Sequence, residues 1–126
     1  MVTTEIPREQ LSRALEEFSA RHNGWLVSVD VLSSTLGAQP AIAEVPLSGL
    51  TWEPRAESLS ISVGRGTAHT THTIDRAAHL WLERTGNGSD AALEVESADG
   101  TKTIVRLKNA VPPQTVDGVP RKRPKR

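Results

Sequence analysis

Cysteine is absent from this chain of 126 residues. The absence excludes a disulfide scaffold, a thiolate metal site, a cysteine nucleophile and thiol redox chemistry. Aromatic residues are scarce as well, with three Trp, one Phe and no Tyr. No stretch approaches the ~20 consecutive apolar residues that cross a bilayer, and the opening MVTTEIPREQ lacks the apolar core of a secretory signal. We therefore expect a single domain in the cytoplasm.

The positive and negative charges of the chain are equal in number but unevenly distributed along the sequence. There are 15 basic and 15 acidic side chains, yet five of the basic ones lie in the last six residues, RKRPKR. The approach to this run contains Pro112, Pro113 and Pro120, which disfavour regular structure. We predict one α+β domain over residues 1–111 and a disordered, Pro-rich and basic tail over 112–126.

The beginning of the chain predicts a helix over residues 7–22. Pro7 suits the first helical position, because its missing N–H has no intrahelical partner there. Gly24 suits the left-handed residue that follows a helix. Four apolar residues recur at i, i+3, i+4 and i+7, which places them on one face: Leu11, Ala14, Leu15 and Phe18.

After this helix the period of the apolar residues changes from 3.6 to 2, which is typical of strands. Alternating segments cover 25–33, 58–64, 79–85, 92–97 and 101–108, and 69–74 is rich in Thr. Pro46 indicates that the segment 41–52 is a bent edge strand or two short strands. Asp99-Gly100 is typical of a tight hairpin.

These patterns predict an N-terminal helix followed by an antiparallel meander of six or seven strands. The meander is expected to form a curled sheet or a half-open small β-barrel, with the helix across one face or opening. The predicted core combines the helical face with the inward strand positions, which are Trp25, Leu59, Ile61, Val63, Leu80, Leu82, Leu93, Val95, Val105 and Leu107.

Six short segments, taken in order, resemble a family of short bacterial proteins of unknown function. They are TTEIPR (3–8), FSARHNGWLV (18–27), GAQ (37–39), PLSGL (46–50), THTI (71–74) and DG (117–118). The resemblance runs from about residue 3 to 118 and leaves out the basic run. It implies a stand-alone bacterial protein, and it brings no activity, substrate or catalytic residue.

The histidines are the first candidates for chemistry, since His69, His72 and His79 lie within eleven residues. A zinc site needs ligand atoms converging at about 2.0–2.2 Å. In a regular strand His69 and His72 face opposite sides, so a compact site would need a bulge. We therefore expect surface or hydrogen-bonded histidines without a metal or cofactor, and keep a metal-dependent enzyme as an alternative.

Other catalytic motifs are missing. The chain has no G-x-S-x-G elbow, no S-x-x-K and no phosphate-binding loop. Glu94 and Glu96 share one face of a strand, which suits acid–base chemistry or cation binding. Cross-strand pairing with Lys102 or Arg106 explains the two carboxylates more simply.

The tryptophans offer a candidate binding surface. Strand periodicity leaves Trp81 on the same face as His79, and Trp52 lies near the predicted bend. If both tryptophans meet His79 on one exposed surface, the three residues mark a ligand groove.

Three hypotheses follow for the function. The leading one is a non-catalytic, small β-rich module that binds a partner protein through a strand edge or the Trp52/Trp81 face. The second is a nucleic-acid-associated protein whose tail charges attract phosphates without sequence readout, through Arg121, Lys122, Arg123, Lys125 and Arg126. The third is the metal-dependent enzyme.

Overall fold

The computed structural model describes residues 2–33, 35–65 and 67–108. This part of the chain contains one α-helix, one 3-10 turn and eight β-strands. Their bounds are β1 Val2–Glu5, the 3-10 turn Arg8–Gln10, α1 Leu11–His22, β2 Leu26–Ser33, β3 Gly37–Glu53, β4 Ser58–Arg65, β5 Ala68–Ile74, β6 Ala77–Arg84, β7 Asp90–Ser97 and β8 Lys102–Leu107.

All strand pairs are antiparallel, and the order across the sheet is β1-β6-β7-β8-β2-β3-β4-β5. Two runs of consecutive strands, β2 to β5 and β6 to β8, are joined because β8 returns to pair with β2. The sheet is not closed, and β1 and β5 form its two edges. The predicted antiparallel sheet is therefore confirmed, but a simple meander is not.

The predicted number of six or seven strands is slightly low, because β1 was missed. Its residues Val2–Glu5 are all exposed and show no apolar alternation. The strand forms by pairing with β6, where Glu5 lies opposite Trp81. A partner so distant in the sequence leaves no local signal.

The predicted helix is confirmed with a later start. Residues Arg8–Gln10 form the 3-10 turn, and α1 begins at Leu11. Leu11, Leu15 and Phe18 are buried, as their spacing predicted. Gly24 follows the helix with φ +89°, in the left-handed region that glycine favours.

Strand β3 is one long strand that bends, and it joins the two halves of the sheet. Its first part pairs with β2 up to Pro46, and its second part pairs with β4 from Leu47. Glu44, with φ +51°, lies at the change of direction. The bend near Pro46 is thus confirmed, whereas the expectation of an edge strand is wrong because β3 lies between two neighbours.

A single apolar core joins the helix to both halves of the sheet. Most predicted core residues belong to it, but Trp25 does not. Trp25 precedes β2 and is partly exposed, with its ring edge-on to His22 at a centroid distance of 4.7 Å. Gly24 redirects the chain just before this residue, so the strand alternation does not yet apply to it.

The hairpin at Asp99-Gly100 forms as predicted. It joins β7 to β8, Gly100 has φ +90°, and Asp99 Oδ1 accepts a hydrogen bond of 2.9 Å from the Thr101 amide. The predicted tail, 112–126, lies outside the described residues. Within the described ranges, no helix is long and apolar enough to cross a membrane.

Candidate functional site

Trp81 and His79 lie side by side on the outward face of β6. Leu80 and Leu82, which alternate with them along the strand, point into the core. The two rings stack with centroids 5.5 Å apart and an angle of 24° between their planes. The His79 Nδ1 atom lies 2.7 Å from Oε2 of Glu5 on the neighbouring strand β1. An aromatic ring, an imidazole and a carboxylate therefore meet on one exposed surface.

Carboxylates surround this pair. In the strand register, Glu5 and Glu94 lie on opposite sides of Trp81, and Glu83 lies two residues along β6. We call the outward side of β1, β6, β7, β8 and β2 the acidic face. Its charged side chains are Glu5, Asp30, Glu83, Glu94 and Glu96 on the negative side, against Lys102 and Arg106 on the positive side.

Some of these charges are paired across strands, as the pattern of Glu94 predicted. Its Oε2 atom lies 3.6 Å from Nζ of Lys102, and Arg106 Nε lies 3.5 Å from Oδ2 of Asp30. Glu83 and Glu96 have no salt-bridge partner among the described residues. The acidic face therefore keeps a negative excess after pairing.

Trp52 does not join Trp81 and His79. Its side chain is only 9% exposed and packs in the core, opposite Leu59 of β4. The Arg8 guanidinium lies 5.7 Å from the centre of its ring and covers it. The expected groove of two tryptophans and a histidine is therefore not formed, because β3 turns Trp52 inward.

The three mid-chain histidines do not share a centre. His69 and His72 lie on β5 at one edge of the sheet, whereas His79 lies on β6 beside the opposite edge. His72 pairs in register with buried Ile61, and His79 is held by Glu5. Among the described residues, no three His, Asp or Glu side chains are close enough to hold a metal ion. The strand order therefore separates His69 and His72 from His79, and the three side chains cannot serve together as ligands of one metal ion.

A buried charged cluster that the sequence did not indicate lies where α1 ends beside β7. Asp90 Oδ2 accepts hydrogen bonds from both Nε and Nη2 of Arg21, at 3.2 and 2.9 Å. Nε of Arg84 donates to its other oxygen at 3.1 Å. The Asp90 side chain is only 8% exposed, so two guanidinium groups neutralise a carboxylate that water hardly reaches.

His22 completes this cluster from the helix. Its Nδ1 atom donates to the Phe18 carbonyl at 2.9 Å, since a carbonyl only accepts, and its Nε2 atom lies 3.4 Å from Oδ2 of Asp90. Burial lowers the pKa of His22 below 6.5, against the opposing effects of the Phe18 carbonyl and Asp90. Both ring nitrogens face protein groups, so this imidazole is not positioned to take a proton from a substrate.

The arginines around Asp90 outweigh the effect of burial on the pKa of its carboxyl. Burial by itself raises the pKa of this carboxyl, but the hydrogen bonds from Arg21 and Arg84, together with nearby positive charge, bring the pKa below 3.8. A cleft of about 720 Å³ borders the cluster and is walled by Trp25, Gly88 and Ser89. The sequence analysis did not single out Asp90, because nothing local signals its two distant arginines.

The basic tail residues from Arg121 to Arg126 lie outside the described residues, so their predicted role in anion contact has no structural description. Of the three residues predicted to form a binding surface, His79 and Trp81 lie together in the described part of the chain, and Trp52 lies in the core.

Comparison with known proteins places the chain in a family. A curated protein of Aquifex aeolicus (strain VF5), named an uncharacterized protein, is 28% identical over 112 residues, which span 89% of this chain and 97% of that protein. No solved structure matches the chain significantly. A family model described as a family of unknown function (DUF5335) matches residues 2–116. The chain therefore belongs to this family of unknown function, as its short segments predicted.

Proposed function

We propose that this protein is a non-catalytic binding module that holds a basic segment of a partner protein on its acidic face. The observation that carries the proposal is the arrangement of His79, Trp81 and Glu5. The imidazole of His79 stacks on the indole of Trp81, and its Nδ1 atom lies against the carboxylate of Glu5. An arginine side chain has the same two requirements, an aromatic face and a carboxylate at its edge.

The charge of the acidic face supports a cationic partner. Five carboxylates stand against two basic side chains on this side of the sheet. Glu83, Glu94 and Glu5 all neighbour Trp81 in the strand register. Glu5 and Glu94 are already paired with His79 and Lys102, so Glu83, which has no salt-bridge partner among the described residues, is the neighbour left to attract a cation over the indole. Trp is the side chain that binds cations best through its ring.

The apolar part of the face supports a macromolecular partner over a small ion. Trp81 and Ile104 lie on either side of Glu94 in one cross-strand row, and both are partly exposed. A peptide crossing the strands would contact apolar and acidic side chains in turn. Interfaces commonly combine an aromatic anchor with a charged rim in this way.

The two alternative functions have less support. The metal-dependent enzyme loses its basis because His79 lies apart from His69 and His72 in the sheet. Nucleic-acid association through the basic tail stays a prediction, and the acidic body would repel a polyanion.

A titration of the full chain with a hexa-arginine peptide tests the proposal, followed through the indole N–H signals in proton–nitrogen NMR spectra. We expect a saturable shift of the Trp81 signal, which weakens as salt is raised. Trp81→Leu lacks the reporting indole, so its affinity is compared with that of the unmodified chain by isothermal titration calorimetry. The substitution should weaken binding by about 5- to 30-fold, which corresponds to roughly 1–2 kcal/mol for a cation on an indole.

Trp25→Phe is the matched control, because Trp25 lies beside His22, away from the acidic face. Its peptide affinity should equal that of the unmodified chain. A hexa-glutamate peptide should cause no shift. Binding of hexa-arginine that is unaffected by Trp81→Leu would refute the proposal.

A further inference from the structure

We infer that the segment held by the acidic face in the absence of a partner is the chain's own basic run, RKRPKR at residues 121–126. The inference rests on the proposed function and names its first occupant. If the basic run occupies the acidic face, a basic segment of a partner must displace this run before the partner binds.

The charges of the two parts are complementary. Residues 2–108 contain fourteen acidic and ten basic side chains, an excess of four negative charges. Residues 109–126 contain five basic and one acidic side chain, an excess of four positive charges. The chain is neutral only because these two parts oppose each other. Opposite charge excesses attract when they approach within about a Debye length, ~8 Å at physiological salt.

The described chain leaves the sheet at one end of the acidic face, beside Arg106 and Lys108, whereas Glu94 and Glu96 lie opposite the first half of β8. The last strand, β8, lies between β7 and β2, so it runs through the middle of the acidic face. The Lys108 amide still donates to the Leu26 carbonyl at 2.9 Å, which keeps the chain against β2 up to that residue. The segment that follows therefore starts beside the proposed binding surface.

The length of the connecting chain is sufficient. Trp81 lies on β6, two strands from β8, which corresponds to about 10 Å across the sheet. It lies in the row of Ile104, four residues before Lys108, which adds about 13 Å along the strand. The residues between Lys108 and Arg121 span up to ~40 Å when extended, at ~3.3 Å for each residue. A tether of this kind gives an effective concentration on the order of millimolar, so even a weak contact is populated.

Two carboxylates are available to the basic run. Glu94, Asp30 and Glu5 have ion-pair partners within the sheet, as described above. Glu83 lies two residues from Trp81 on β6. Glu96 lies diagonally from Trp81 on β7, between His79 and Lys102 in the strand register; within the described ranges neither carboxylate forms a salt bridge. We expect these two side chains to attract the basic run, with Trp81 between them as the aromatic contact.

The test compares the full chain with a full-length variant in which the five basic residues of the run are replaced by Gln: R121Q, K122Q, R123Q, K125Q and R126Q. At low salt the Trp81 indole signal should differ between the two proteins, while the Trp25 and Trp52 signals coincide. Raising NaCl to 1 M should move the Trp81 signal of the unmodified chain to its position in the variant. The variant should also bind hexa-arginine at least fivefold more tightly, because its own competitor has been removed.

A charge-matched pair of variants identifies the acidic side. Glu83→Gln combined with Glu96→Gln should reproduce the signal change of the tail variant. Glu9→Gln combined with Glu16→Gln removes the same charge from the exposed side of the N-terminal segment and α1, and should leave the Trp81 signal where it was.

The outcomes separate the two proposals. Equal Trp81 signals and equal hexa-arginine affinities in the chain and the tail variant would overturn this inference and leave the proposed function intact. Failure of both proteins to bind hexa-arginine would overturn both. A Trp81 signal difference that disappears on dilution would assign the basic run to a second copy of the chain and would overturn the intramolecular contact.

Discussion

The imidazole of His22 lies between the Phe18 carbonyl, 2.9 Å from Nδ1, and the Asp90 carboxylate, 3.4 Å from Nε2. The carbonyl fixes the proton of the neutral ring on Nδ1, so only a second proton on Nε2 gives His22 a donor toward Asp90. Burial opposes that second proton and keeps the pKa of His22 below 6.5. The end of α1 is therefore held to β7 by the hydrogen bonds from Arg21 to Asp90, while the neutral His22 ring donates only to the Phe18 carbonyl within the helix.

The lowered pKa of His22 predicts a loss of stability below neutral pH. Well above pH 6.5 the side chain is neutral in both the folded and the unfolded state. As the pH falls through 6.5, the unfolded chain binds the proton before the folded protein does, so the free energy of unfolding decreases. The decrease ends once the pH is below the lowered pKa of the folded state. Urea denaturation at intervals between pH 5 and 8 measures this slope.

His22→Phe removes the titrating group and should flatten the slope in this window. His69→Gln is the matched control, since His69 is exposed on β5, and it should keep the slope of the unmodified protein. A His22→Phe variant with an unchanged slope would contradict the assignment.

Asp90→Asn is expected to destabilise the fold by about 1–3 kcal/mol at pH 7, because two arginines lose a nearly buried charged acceptor. Since the pKa of Asp90 is lowered in the folded state, its contribution is present above 3.8 and is lost as the pH falls through the folded value. The difference in unfolding free energy between Asp90→Asn and the unmodified chain should therefore shrink toward pH 3. Asp75→Asn, at an exposed position, should cost under ~0.5 kcal/mol.

The hydroxyl of Ser19 links the helix to β3. It accepts a hydrogen bond of 2.8 Å from the Leu50 amide and donates to the Leu15 carbonyl at 2.7 Å. Ser19→Ala leaves the amide of buried Leu50 without this acceptor, which should cost about 1–3 kcal/mol in urea denaturation. Ser12→Ala, at an exposed position of the same helix, should change stability by less than ~0.5 kcal/mol. Equal effects of the two substitutions would show that the Ser19 link contributes nothing.

Among the glycines of the described residues, Gly64 is the one whose replacement the fold should tolerate least. It has φ +98°, and a Cβ atom placed on it would lie 1.9 Å from the Ala68 carbonyl oxygen across the β4–β5 hairpin. Gly64→Ala should therefore destabilise the protein by more than ~2 kcal/mol, as measured by thermal and urea unfolding.

Gly88→Ala distinguishes the cost of backbone strain from the cost of steric overlap. Gly88 has φ +89° with no atom within 4 Å of the added Cβ, so its substitution carries backbone strain alone, roughly 1–2 kcal/mol. If Gly64→Ala destabilised the protein only as much as Gly88→Ala, the hairpin would have moved to relieve the overlap with the Ala68 carbonyl oxygen.

Local patterns predicted the elements whose signals lie within a few residues. The spacing of Leu11, Leu15 and Phe18 predicted the buried side of α1, and Asp99-Gly100 predicted the β7–β8 hairpin. The prediction failed for β1 and for the place of Trp25. Each depends on what a distant segment or a preceding turn does to the chain, so neighbouring residues carry no signal of it.

The same division applies to the candidate site. Alternation along β6 predicts that His79 and Trp81 share one face, because side chains alternate with a period of two in every strand. It did not reveal that Glu5 would lie beside them or that Trp52 would be buried, since both depend on which strands pair.

The amino-acid sequence alone determined the helix, the strand periodicity, the tight turns and the opposition between an acidic body and a basic terminus, because each follows from short-range geometry or from charge counting. The tertiary structure decided the strand order, the separation of the three histidines, the meeting of Glu5 with Trp81 and the burial of Asp90 between two arginines. These relationships join residues far apart in the chain, and they arise only when burial of the common core fixes how the sheet curls and which strands become neighbours.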